Sequence, residues 1–132
     1  MAVPHILIAE DESDVREFLV RAVRRLAPTA EVMAAANGSE ALNIFQQQPC
    51  DLILTDQRMP VMRGIDLLAA VRGMGSAVPV IFITADVIVE EQALHAGANA
   101  VFFKPVSIRQ IREILETWMR PTSDDRPATT DR

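Results

Sequence analysis

Five short apolar runs, separated by segments of helical periodicity, constrain this chain more than any other feature. The runs are His5 to Ala9, Glu31 to Ala36, Asp51 to Thr55, Val78 to Ile83 and Asn99 to Phe103. The first is rich in Ile and shows no polar–apolar alternation, the pattern of a strand buried on both faces. After Ser13, placed to cap a helix, Val15, Phe18, Leu19, Ala22, Val23 and Leu26 recur at helical spacing and point inward, and Pro28 closes the segment. Asn37-Gly38 turns the chain into a second helix, carrying Ala41, Leu42, Ile44 and Phe45 inward as far as Pro49. Gly64 begins a third, ended by Gly73 and Gly75. Asp86 to Ala96 reads as a fourth, stopped by Gly97 in the left-handed position. Ser107 and Gln110 form a capping box for a fifth, with Ile111, Ile114, Leu115 and Trp118 turned inward. Strands alternating with helices imply right-handed crossovers and a parallel sheet covered on both faces, an α/β fold.

With 132 residues the chain has room for one domain with a real core, expected over residues 1–120. From Pro121 the sequence is polar, contains proline and lacks large apolar residues, so 121–132 is expected to be a disordered tail. A net charge of −5 argues against a nucleic-acid surface. Arg16, Arg21, Arg24 and Arg25 are a local exception that fits a solvated helix face. Single Cys50 allows no internal disulfide and suits a reducing compartment. The first apolar run is cut by Glu10, Asp11 and Glu12, so it is no signal peptide. Ala77 to Ala85 is too short to span a bilayer, and a cytoplasmic protein is expected.

The polar residues fall where such a sheet would gather them. Glu10 and Asp11, Asp56, Thr84 and Lys104 each close an apolar strand at its carboxyl end. In an open parallel sheet those ends form one crevice, so residues dispersed along the chain converge. Crowded carboxylates repel, which a hard divalent cation relieves, and a few oxygen ligands with water suit Mg²⁺. Lys104 adds a positive charge and Thr84 a hydroxyl, a set able to bind a phosphoryl group beside a carboxylate nucleophile. Alternatively, a Lys–Asp pair could simply stabilise the sheet rim, but that leaves Glu10, Asp11 and Thr84 without a role.

Taken together, Ile6-Leu7-Ile8-Ala9-Glu10-Asp11-Glu12, Asp51 to Asp56 with Met59-Pro60, Gly64, Thr84-Ala85, Ala96-Gly97-Ala98 and Lys104-Pro105 resemble the receiver domain of bacterial two-component response regulators. The resemblance covers roughly residues 4–120. It implies a flavodoxin-like, doubly wound sheet in the order 2-1-3-4-5 with five helices. It further implies Asp56 as phosphoacceptor, Glu10, Asp11 and Asp56 with the Arg58 backbone carbonyl as the Mg²⁺ shell, Thr84 as switch hydroxyl and Lys104 as phosphate-binding cation. The Lys104-Pro105 bond would be cis. The phosphodonor would be a histidine kinase or a histidine phosphotransfer protein, and the output a change in affinity for a downstream protein, with no nucleic acid or membrane bound directly.

Two departures from the family pattern stand out. Glu10 occupies a place where members usually carry Asp, and Val101 a place where an aromatic commonly follows the switch hydroxyl. Consecutive Val87, Ile88 and Val89 cannot all face the sheet from one helix, so a docking or self-association face is expected around helix 4, strand 5 and helix 5. Arg58 and Asp86, each two residues past a pocket residue, are expected to pair as a planar fork and slow the loss of the phosphoryl group. A Mg²⁺-dependent phosphohydrolase using the same aspartyl-phosphate chemistry would want a second Asp where Arg58 stands. The favoured expectation is a signalling switch, not a turnover enzyme, either free-standing or excised from a hybrid kinase.

Overall fold

The structure, a computed structural model, describes residues 3–119. The chain alternates β1 (His5–Ala9), α1 (Ser13–Leu26), β2 (Glu31–Ala35), α2 (Gly38–Gln47), β3 (Leu52–Thr55), α3 (Gly64–Gly73), β4 (Val80–Thr84), α4 (Val89–His95), β5 (Ala100–Phe103) and α5 (Ile108–Trp118). All five strands pair in parallel, in the order β2-β1-β3-β4-β5. The expectation for residues 121–132 lies outside the described residues.

Successive strand residues point to opposite faces, and the core divides accordingly. Ile6, Ile8, Leu52, Leu54, Ile81 and Ile83 face α1 and α5, meeting Leu19, Val23, Ile111 and Ile114. Leu7, Ile53, Val80 and Phe82 face the other way, against Ala41, Leu67, Leu68, Val71 and Ala93 of α2, α3 and α4. Burial on both sides explains why the central strands read as unbroken apolar runs. Each fully buried Leu or Ile there contributes about 1.5–3 kcal/mol of transfer free energy, which fixes the strand ends that carry the polar residues.

Helix ends follow side-chain chemistry. Asn37 Oδ1 accepts from the Glu40 amide (2.8 Å), while Glu40 Oε1 accepts from Ala36 N (2.9 Å). The expected box on α5 is present, with Gln110 N donating to Ser107 Oγ (3.1 Å) and Ser107 N to Gln110 Oε1 (3.0 Å). Gly97 holds φ +113° after α4, and Lys104-Pro105 is cis.

Several expectations are corrected. Strand boundaries move by one or two residues: β4 runs Val80–Thr84 and β5 starts at Ala100. Ser13 is the first helical residue of α1; Glu12 holds the cap position and makes no side-chain cap bond. The fourth helix begins at Val89, not Asp86. There the Asp86 amide donates to Thr84 Oγ1 (3.0 Å) and Asp86 Oδ1 accepts from Ile88 N (3.0 Å), so local side-chain bonds displace the first helical turn. The β-branched Val87 and Ile88 add little helical preference to resist this. Phe18 does not turn inward: the buried stripe of α1 is Leu19, Ala22 and Val23, and the Phe18 side chain stays 41% exposed at its edge.

Candidate functional site

The carboxyl ends of β1, β3 and β5 do converge. Backbone pairing continues one step beyond the strands, with Asp56 N donating to Ala9 O (3.0 Å), Glu10 N to Ala35 O (3.0 Å) and Lys104 N to Thr84 O (2.9 Å). These bonds fix where the polar side chains start. One carboxylate oxygen from each of Glu10, Asp11 and Asp56 lies within 4.8 Å of the others. Glu10 and Asp56 are buried, Asp11 exposed.

Lys104 joins the two buried carboxylates. Its Nζ donates to Asp56 Oδ2 at 2.9 Å and lies 3.0 Å from Glu10 Oε1. The second contact is an ion pair out of line for a hydrogen bond, which leaves Glu10 Oε1 a buried acceptor with no hydrogen-bond donor. The other oxygen, Oε2, accepts from Glu12 N (3.0 Å). Arg16 Nη1 steadies the turn by donating to the carbonyls of Glu10 (2.8 Å) and Asp11 (3.3 Å).

Burial raises the Glu10 pKa; the Glu12 amide and the ammonium of Lys104 oppose it, and the charge of Asp56 adds to it. Lys104 is the reverse case. Burial disfavours its charge, but the hydrogen bond to Asp56 and the close negative charges of Asp56 and Glu10 outweigh that, and its pKa is raised. The pocket therefore holds excess negative charge around one committed cation.

Thr84 is fully buried at the end of β4, yet its hydroxyl accepts from Asp86 N. Among the described residues the hydroxyl hydrogen-bonds neither Asp56 nor Lys104, although the Thr84 carbonyl accepts from Lys104 N. Arg58 lies on the same loop as Asp56, and among the described residues its carbonyl accepts no hydrogen bond. The expected Arg58–Asp86 contact is present as a single approach, Nε to Oδ2 at 3.5 Å, and not as a fork.

The sequence reading missed Gln57. It is buried, its amide donates to Asp56 Oδ1 (2.6 Å), its carbonyl accepts from Gly64 N (3.0 Å) and its Oε1 accepts from Ile65 N (2.9 Å). One residue thus ties the Asp56 carboxylate to the start of α3. A polar residue directly after Asp56 gave no signal of this. Gly64 completes the closure, because a Cβ there would run into the Asp56 carbonyl and come within 2.9 Å of the Phe82 ring. Between them, Met62 N donates to Pro60 O (2.7 Å), closing a three-residue turn centred on Val61 at φ 70°.

The donors fit a hard cation. Three carboxylates are an all-oxygen set, and Glu10 Oε1 lacks a hydrogen-bond donor. Glu10, Asp11 and Asp56 are the groups here that could hold such a cation.

Comparison with known proteins agrees. Residues 6–116 match the family model of the response regulator receiver domain. The response regulator protein PilR of Pseudomonas aeruginosa is 35% identical over 126 residues, covering 92% of this chain and 28% of PilR. Chemotaxis protein CheY4 of Vibrio cholerae superposes with a TM-score of 0.80 at 26% identity, covering 89% of this chain and 99% of CheY4. The receiver domain of sensor histidine kinase PA1611 from Pseudomonas aeruginosa gives 0.79 at 30% identity, covering 89% of this chain and 98% of that one; it carries magnesium in its active site cleft. The chain spans from 28% to 50% of the length of the first curated relatives it matches. On its fold, its converging strand ends and this match, the chain belongs to the response regulator receiver domain family of two-component signal transduction.

Proposed function

We propose that Asp56 accepts a phosphoryl group from a histidine kinase or histidine phosphotransfer protein and that the modified domain changes its affinity for a downstream protein. The observation that carries this reading is Lys104 Nζ, 2.9 Å from Asp56 Oδ2 beside a cluster of three carboxylates. The Gln57 amide holds Oδ1, so Oδ2 is the oxygen presented beside the cation. Oδ2 forms the new bond to phosphorus as the donor's N–P bond breaks and the imidazole nitrogen keeps the electron pair. Lys104 offsets the charge gathered on the phosphoryl oxygens. Mg²⁺, when bound by Glu10, Asp11, Asp56 and the Arg58 carbonyl, supplies further charge neutralisation there.

Thr84 acts as the switch. In this reading its hydroxyl turns from the Asp86 amide toward the phosphoryl group, which frees the loop leading into α4. That loop exposes Val87 (70%) and Ile88 (82%), and Val101 packs against the core in place of an aromatic. The face of α4, β5 and α5 is therefore the output surface in this reading, available to a partner or a second copy. Arg58 stands where a phosphohydrolase of related chemistry would want its second acid, which favours a stoichiometric switch over turnover.

Incubation with acetyl phosphate and Mg²⁺, followed by intact mass measurement, tests the reading. One phosphoryl adduct is expected, and none in Asp56→Asn; equal yield in that variant contradicts the assignment.

A further inference from the structure

We propose that this receiver takes small acyl phosphates with an apolar acyl group, aromatic ones above all, through a groove that opens beside Lys104. The proposal rests on the reading of Asp56 as phosphoacceptor and names the class of small donor the site prefers. The groove, of about 560 Å³, runs between α1 and the loop after β5. Val15, Phe18, Pro105 and Val106 line it together with Ile83, and Lys104 lines it as well. An enclosed apolar cavity of about 150 Å³ holds benzene; this groove is larger but open to solvent, so a phenyl ring would lie against its wall.

Two observations select an amphiphilic anion over a purely apolar guest. Lys104 belongs both to the groove and to the carboxylate cluster, since its Nζ sits 2.9 Å from Asp56 Oδ2. A ligand with a phosphoryl end at that cation and an apolar body attached to it would match the charge at one end and the aliphatic and aromatic walls beside it. Phe18 is the second. It departs from the buried stripe of α1, leaving its ring 41% exposed on the groove wall, where a second ring can stack against it. Asp14 on the rim carries a negative charge, which selects for a leaving group whose outer end is uncharged, as a phenyl ring is.

The transfer balances without a further reactant. The carboxylate oxygen of Asp56 forms an O–P bond, the bond between phosphorus and the acyl oxygen breaks, and that oxygen leaves with the electron pair as a carboxylate. With benzoyl phosphate the products are the aspartyl phosphate and benzoate, and no proton moves.

The test compares benzoyl phosphate with acetyl phosphate on the full chain, following adduct formation by intact mass at fixed Mg²⁺. The expected second-order rate constant is about tenfold higher for benzoyl phosphate, in line with the apolar area a phenyl ring buries. Because benzoate is itself a slightly better leaving group than acetate, the deciding quantity is the change in that ratio on substitution. Phe18→Ala should lower the ratio about three- to tenfold, whereas Phe18→Leu, which keeps an apolar wall, should retain most of it. A ratio that Phe18→Ala leaves unchanged overturns the proposal, with the acetyl phosphate adduct still upholding Asp56 as acceptor. No adduct from either donor overturns both readings.

Discussion

Arg58 Nε lies 3.5 Å from Asp86 Oδ2, which joins the loop after β3 to the loop after β4. The arginine side chain is 79% exposed and the aspartate 14%, so the guanidinium lies over the carboxylate from the solvent side. If Asp56 is the phosphoacceptor, as proposed, the expected effect of this pair is to narrow water's approach to the acyl phosphate, an effect on kinetics. Arg58→Ala should quicken loss of the phosphoryl group roughly two- to fivefold, the span of an exposed ion pair. Folding stability should change by less than about 0.5 kcal/mol. Decay of the phosphoprotein after donor removal, at fixed Mg²⁺, reads this directly; unchanged or slower decay removes the shield. Asp86→Ala is the less clean variant, because Asp86 Oδ1 also accepts from Ile88 N.

The loop carrying Asp56 is held from both ends, and two substitutions should move its stability in opposite directions. Gly64→Ala sets a Cβ against the Asp56 carbonyl and the Phe82 ring, and backbone cannot yield as a flexible side chain does. A loss of at least about 2 kcal/mol is expected. Val61 is β-branched, holds φ 70° and is 82% exposed, so its backbone strain is offset by no packing. Val61→Gly should therefore gain about 1 kcal/mol. Urea unfolding of the two variants checks both signs.

Sequence patterning located the strands closely because burial on both faces leaves a run of apolar residues that only a central strand explains. Its errors have local causes. Thr84 and Asp86 bond to nearby amides and delay α4 to Val89, a competition invisible in apolar periodicity. Phe18 shares the helical spacing of its neighbours but lies at the edge of the stripe, and spacing alone does not mark where cover from α5 ends. At the site, Glu10, Asp11, Asp56 and Lys104 were legible because each ends a strand. Thr84 was placed on the correct strand end, but its bond to Asp86 N was not foreseen. Gln57 was not legible, since its bond to Ile65 N joins residues that only the folded loop brings together.

Mg²⁺ should stabilise the folded protein, because the pocket holds three carboxylates against one ammonium. At a Mg²⁺ concentration a hundredfold above its Kd, the gain is about 2.7 kcal/mol, visible as a rise in unfolding midpoint. Asp11→Asn removes an exposed ligand without emptying the core and should abolish most of that rise. A rise of the same size in the variant would place the cation elsewhere.

The central claim concerns one oxygen of one residue, Asp56 Oδ2 beside Lys104 Nζ. An acyl phosphate is reduced by borohydride to the corresponding alcohol, so a phosphorylated aspartate becomes homoserine and marks its own position. After treatment with acetyl phosphate and Mg²⁺, then borohydride, peptide sequencing by mass spectrometry should find homoserine at position 56 and at no other aspartate. Homoserine at position 11 or 51, or none anywhere in a sample that carried the phosphoryl adduct, would contradict the account.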